Sequence, residues 1–264
     1  MRRRSSWLLV PVFVVTAACS NDRDRAASPG ADTTTATAPT STSKESTAIL
    51  TVLYHQPKDT AAFEKYYSAT HLPILQANQK NIGFVRADFT RFSSTADGEK
   101  PTFYRQAELY FESMDALRKG MGSAGFKKVA DDLPNFASGG LVGLIATASN
   151  THETGTAETP AAIVTVIYKT PKDTAAFEKY YSETHLPLVT TGKNEIGFDR
   201  AEFTKFQSNL DGSAPARYRQ AELYFSSMDA LKKGTATPAF KKVAGDLPKF
   251  ASGGLDALIG TETR

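Results

Sequence analysis

Apolar positions along this chain switch between the strand and helix periods several times, and the whole pattern then occurs again. Residues Ile49 to Tyr54 (ILTVLY) are short, apolar and β-branched, as a first strand requires. Asp59 is a good helix N-cap, and Phe63, Tyr66, Tyr67 and Thr70 follow at i, i+3, i+4 and i+7, one face of a helix. Leu72 precedes Pro73, which predicts the end of that helix. Alternation returns over Phe84 to Phe92 and Phe103 to Phe111, two strands joined by a loop with Asp97-Gly98 at its turn. Ser113 caps a short helix ending at Gly120. A further helical stretch turns Phe126, Val129 and Leu133 inward and stops at Pro134, and Gly139 to Ala146 closes with an apolar strand. The predicted order is β-α-β-β-α-β, a ferredoxin-like arrangement with helices over one sheet face.

Residues 49–145 realign on 163–259 without a gap at a constant shift of 114, the separation of His71 from His185. About two-thirds of the positions are identical, so the repeat is a whole domain. Strand parity places Arg86, Asp88 and Thr90, with Tyr104, Gln106, Glu108 and Tyr110, on the sheet face away from the helices. Large aromatics beside opposite charges suit an enclosed cavity better than open water. The predicted fold class is therefore α+β: two ferredoxin-like repeats packed sheet to sheet as a fused α+β barrel, a dimer made covalent by duplication. The expected domains are 48–147 and 162–261. Between them lies a polar linker, 148–161, carrying His152.

The N-terminus changes how the charge is read. Met1 to Arg4 is a positive n-region, Trp7 to Val15 an apolar h-region, and Thr16-Ala17-Ala18-Cys19 a small-residue cleavage site. Residues 1–18 thus read as an export signal. Cys19, the single cysteine, stands where a bacterial lipoprotein carries its lipid. Cleavage before Cys19 removes three arginines from the 31 basic residues and leaves them level with the 28 acidic ones. A nucleic-acid partner is not expected from a formally neutral chain. Residues 19–47, rich in Ser, Thr and Ala, read as a disordered tether. The expected address is the cell envelope, with the protein lipid-anchored to the membrane. In a Gram-negative host this is the periplasmic face of the outer membrane, since Ser20 provides no Asp retention signal.

His71 and His185 are the leading catalytic candidates, each placed in what reads as the last turn of its helix, where the dipole favours a protonated ring. Asp132 and Asp246 share the phrase Asp-Leu-Pro and are candidates to orient them. Glu108 and Glu222, with Arg86 and Arg200 at matching parity on the adjacent strand, read as ion pairs inside the barrel. Tyr110 and Tyr224 line the same expected cavity. With one histidine per half and no second ligand at suitable spacing, no metal is expected. No cofactor is expected either, there being no glycine-rich phosphate loop after the first strand. Residues 76–81 share nothing with 190–195, nor 121–125 with 235–239, so the halves either accept different ligands or differ in unconstrained loops.

The motif Phe63-x-x-Tyr66-Tyr67-x-x-x-His71-Leu72-Pro73-Ile74, followed by Ala107-Glu-Leu-Tyr-Phe111 and Asp132-Leu-Pro-Asn-Phe136, resembles the EthD family. The second copy repeats it from Phe177 to Leu188, Ala221 to Phe225 and Asp246 to Phe250. The resemblance implies a dimeric α+β barrel and, taken literally, an oxidoreductase. This chain departs from the usual member by its tandem fusion and its expected lipid anchor. Two functions are expected. One is an enzyme acting on a small apolar or aromatic compound by histidine-assisted acid/base chemistry, for which cyclisation or isomerisation suits the residues better than reduction. The other is a non-catalytic periplasmic protein that binds or scavenges a small molecule. Either would work as a monomeric pseudo-dimer.

Overall fold

The computed structural model describes residues 47–153 and 162–263. Cys19, the expected signal and tether, residues 154–161 and the side chain of His152 lie outside what is described. Repeat one comprises β1 (Ala48–His55), α1 (Thr60–Tyr66), a π-helical turn (Tyr67–His71), α2 (Leu72–Ala77), α3 (Gln79–Ile82), β2 (Arg86–Thr95), β3 (Phe103–Phe111), α4 (Met114–Met121), α5 (Ala124–Asp132) and β4 (Leu141–Glu153). Repeat two comprises β5 (Ala162–Tyr168), α6 (Thr174–Tyr180), a second π-turn (Tyr181–His185), α7 (Leu186–Ile196), β6 (Arg200–Asn209), β7 (Arg219–Phe225), α8 (Met228–Thr235), α9 (Pro238–Asp246) and β8 (Leu255–Glu262). Asp59 and Ser113 cap their helices as their side-chain chemistry demands, accepting from the Ala62 and Ala116 amides at 2.9 and 3.2 Å.

Each repeat folds into a four-stranded antiparallel sheet, and the two sheets join at both edges. β2 pairs with β8 and β4 with β6, giving a closed barrel in the order β1-β3-β2-β8-β5-β7-β6-β4. Closure gives every strand a paired neighbour on both sides. Alternation along the strands sorts the core into three layers. Leu50, Tyr54, Leu109 and Phe111 face the helices of repeat one, where they meet Phe63, Tyr67 and Leu117. Their counterparts build the same layer in repeat two. Ile49, Leu53, Phe92, Leu144, Ile167 and Leu258 fill part of the barrel interior.

Three features depart from the sequence expectations. Pro73 does not end its helix: α1 passes through the π-turn into α2, with the Leu72 amide donating to the Tyr67 carbonyl five residues back. The widened turn absorbs the missing donor and the ring of the following proline. Second, β4 continues to Glu153, into the expected linker, because the edge of β6 offers its residues backbone partners as far as Arg200. Third, Tyr104 leaves the barrel-facing set. A register shift at Tyr54/His55 turns Phe103 inward and sets the Tyr104 ring edge-on to Phe63 at 5.4 Å.

Helix α4 approaches α3 so closely that Gly120 is required: a Cβ there would strike the Ile82 carbonyl oxygen and the Phe111 ring. Gly122, two residues on, has nothing nearer than 3.6 Å. Gly120→Ala should therefore cost about 1–3 kcal/mol of stability through overpacking. Gly122→Ala, which copies Ala236 of repeat two, should be close to neutral. Urea denaturation of the two variants checks the contrast.

Candidate active site

The π-turn buries Tyr67 and His71 together against the sheet, and His71 is 3% exposed. Asp132, the last residue of α5, receives the imidazole: Nδ1 of His71 lies 2.8 Å from Oδ2. The other carboxylate oxygen accepts from the Tyr66 hydroxyl at 2.7 Å and the Asn135 amide at 3.0 Å, so Asp132 is fixed on both sides. Repeat two builds the same dyad, with His185 Nδ1 at 3.0 Å from Asp246 and Tyr180 donating at 2.8 Å. Lys249 there replaces Asn135, its ammonium 3.2 Å from Asp246. Phe136 and Phe250 pack on the imidazoles, with ring centres at 4.5 and 4.7 Å.

This environment reverses the expectation of a protonated ring at a helix end. The helix does not end at His71. Burial drives the imidazole pKa below its ordinary value, against an upward pull from Asp132, and His185 is shifted the same way. Burial raises Asp132, but hydrogen bonds from Asn135, His71 and Tyr66 outweigh it and hold the carboxyl below the usual range. The state that fits is a neutral imidazole donating Nδ1–H to an ionised carboxylate. Nε2 is then the nitrogen left for a ligand.

The histidine of each dyad lines an apolar cavity of about 90 Å³ between the helices and the outer face of its sheet. His71 shares its cavity with Leu50, Val52, Tyr54, Leu75 and Phe126. His185 shares the other with Val164, Val166, Tyr168, Val189 and Phe240. An apolar chamber containing one oriented base is what proton abstraction from a weakly acidic C–H or O–H needs.

Glu108, Tyr110, Glu222, Tyr224, Arg86 and Arg200 lie elsewhere, inside the barrel on the opposite face of the strands. Thr51 and Gln220 donate to Glu108 at 3.1 Å each, and the Tyr110 hydroxyl lies at the same distance from it. Glu222 mirrors this with Thr165 at 3.3 Å, Gln106 at 2.9 Å and Tyr224 at 3.0 Å. Each glutamine thus reaches across to the other repeat's glutamate. The expected Arg86–Glu108 pair does not form. Arg86 sits opposite Tyr110 in register, stacks on its ring at 3.7 Å, and binds Glu202 of repeat two at 2.8 Å. Arg200 stacks on Tyr224 at 3.7 Å and lies 3.4 Å from Glu202.

Glu202 is the residue that sequence reasoning missed, and carboxylate oxygens of Glu108, Glu202 and Glu222 come within 4.8 Å of one another. The substitution of Asp88 by Glu202 between copies was its one visible signal. The Tyr110 hydroxyl lies 3.1 Å from Glu108 and 2.7 Å from Glu202, and its single hydrogen serves one of them. A protonated Glu108 donating to the phenol oxygen resolves the conflict. Burial first, and then the neighbouring Glu222 and Glu202 charges, push Glu108 well above the ordinary carboxylate range. Burial and Glu202 raise Glu222 to about 7.

Fold and dyads together define a fused dimeric α+β barrel with a histidine–carboxylate pair beneath each half. The EthD domain profile matches residues 55–140 and 169–254, and the chain belongs to that family. Over 99 residues it is 36% identical to an uncharacterized 11.0 kDa protein from the thcB-thcC intergenic region of Rhodococcus erythropolis, covering 38% of this chain and 92% of that one. An EthD family protein of known structure from Bacillus halodurans is 30% identical, covering 38% of this chain and 95% of its own, with a TM-score of 0.34. An anthrone oxidase-like protein of known structure spans both repeats, 84% of this chain and 93% of its own. At 14% identity and a TM-score of 0.59 it is alike in fold.

The barrel network has a consequence for stability. The folded state keeps a proton on Glu222 that the unfolded chain loses above its ordinary value of 4.5, so stability falls as pH rises from there to about 7. The histidines oppose this, since their lowered values add stability as pH rises toward 6.5. Glu222→Gln removes the first effect together with the part of the Glu108 shift that the Glu222 charge causes, and both act in the same direction. Its melting temperature relative to wild type should therefore rise between pH 5 and pH 8, by the equivalent of about 2 kcal/mol. A difference that does not change with pH, in parallel thermal melts, contradicts a protonated pair.

Proposed function

We propose that this chain is a small-molecule enzyme in which His71 and His185 act as general bases toward a small apolar or aromatic compound held in the cavities beside them. The observation that supports this is the dyad itself: a neutral, oriented imidazole in an otherwise apolar chamber, built twice. Nδ1–H points at the carboxylate, so the Nε2 lone pair can take a proton from an acidic C–H or a phenolic O–H. The imidazolium that results is stabilised by Asp132 or Asp246, each held in place by a tyrosine hydroxyl. The same group can return the proton to a different atom, which is an isomerisation or a cyclisation.

A compound that co-purifies with the protein, identified by mass spectrometry, provides the assay. Turnover should fall about 10²–10⁴-fold in the His71→Ala, His185→Ala double variant. Asp132→Asn with Asp246→Asn should lower turnover while leaving binding nearly intact. Tight binding with no chemical change in the wild type would show a binding protein instead.

We further propose that the protein works at the cell envelope, carried there by the signal at residues 1–18 and held by lipid on Cys19. No helix among the described residues is long and apolar enough to cross a membrane. Radiolabelled palmitate should enter the wild type during growth and fail to enter Cys19→Ser, which should move to the soluble fraction on cell lysis.

A further inference from the structure

The two cavities differ where the repeats cross over. Ala96, in the β2–β3 loop of repeat one, lines the His185 cavity of repeat two. Its counterpart Leu210, in the β6–β7 loop of repeat two, lines the His71 cavity of repeat one. The backbones are placed alike: the Ala96 amide donates to the Ala257 carbonyl at 2.9 Å, and the Leu210 amide to Gly143 at 3.2 Å. The side chains are not alike. Leu210 lies so close over Gly143 that a Cβ there would strike its Cδ1, whereas repeat two has Ala257 facing the short Ala96. Each wall is matched to its own partner across the repeats.

Further substitutions lie at the same end. Leu50 of the His71 cavity becomes Val164, and Leu75 becomes Val189. Ala96, Val164 and Phe240 are shared between the His185 cavity and an outer cleft of about 580 Å³, so the two spaces adjoin at Ala96 and Val164, where the His71 cavity has the larger Leu210 and Leu50. The cleft is lined by Ser93, Ser94, Thr95, Lys232 and Thr235. Lys232 forms no ion pair among the described residues, while its counterpart Arg118 is held by Asp115 at 3.0 Å. Thr235 belongs to the stretch 235–239 that shares nothing with 121–125.

We infer that the repeats have divided their ligands: the His185 cavity takes an amphipathic carboxylate, and Ala96, supplied by repeat one, is the residue that admits it. The apolar part lies against His185, and the carboxylate head reaches the hydroxyls of Ser94 and Thr95 and the ammonium of Lys232. The His71 cavity, walled by Leu210, takes compact apolar compounds. This rests on the reading of both cavities as ligand sites.

The test is a titration of the intact protein with octanoate and, separately, with toluene, following the ring signals of the two buried histidines by NMR. Toluene should shift both rings, and octanoate that of His185 alone. Ala96→Leu should abolish the octanoate response. Lys232→Gln should weaken it about threefold, as an exposed ion pair allows. Leu210→Ala combined with Gly143→Ala should extend it to His71. The wild-type titration stands without any variant, and circular dichroism confirms that the variants are folded. Octanoate shifting both rings equally, or shifting His185 unchanged in Ala96→Leu, overturns the division of ligands but leaves the cavities as binding sites. No response of either ring to toluene or octanoate overturns the ligand-site reading itself.

Discussion

Closure of the barrel at its two inter-repeat seams, β2 with β8 and β4 with β6, is the constraint on which everything else here depends. Pairing at those edges satisfies backbone groups that would each cost about 1–3 kcal/mol if buried without a partner. Closure also buries Glu108, Glu202 and Glu222 inside the barrel, with Arg86 and Arg200 half-buried at its mouth beside Glu202. Those groups persist only because each repeat supplies the other's partners: Gln106 to Glu222, Gln220 to Glu108, Arg86 to Glu202. Removing one partner of such a set is far more costly than its net contribution suggests. The two halves are therefore joined by backbone pairing at the seams and by buried polar contacts across the barrel.

The same seams connect the barrel to the chemistry. They carry each β-hairpin over the neighbouring sheet, so that Ala96 and Leu210 wall cavities belonging to the opposite repeat. Inside and outside faces of one strand thus have different work. Glu108 and Tyr110 hold the halves together, while Ala107 and Leu109, one residue away on the other face, line the His71 cavity. Fusion into one chain lets those walls diverge independently, which a symmetric pair of identical chains cannot do.

Local sequence made several elements legible. The caps at Asp59 and Ser113 and the alternation of β2 and β3 were readable because each depends on residues within a few positions of one another. The His71–Asp132 contact was suggested by a repeated phrase, Asp-Leu-Pro, but its geometry depends on α5 arriving at the π-turn across 61 residues. The π-turn itself was hidden by Pro73, whose usual meaning is a helix end. The Arg86–Glu108 pairing was misread because parity tells which face a residue occupies and nothing about which of several carboxylates it meets there.

What the sequence determined by itself is the duplication, the order of elements in each copy, the family, and the faces on which the charged and apolar residues fall. Those follow from periodicities of two and 3.6 residues and from side-chain capping, which act along the chain. What the tertiary structure decided is who meets whom: Glu202 with Arg86, His71 with Asp132 in a burial that lowers the imidazole pKa, the continuation of β4 past its expected end, and Leu210 over Gly143. These depend on barrel closure, because burial and proximity across the two repeats set both the partners of a buried charge and the size of a cavity.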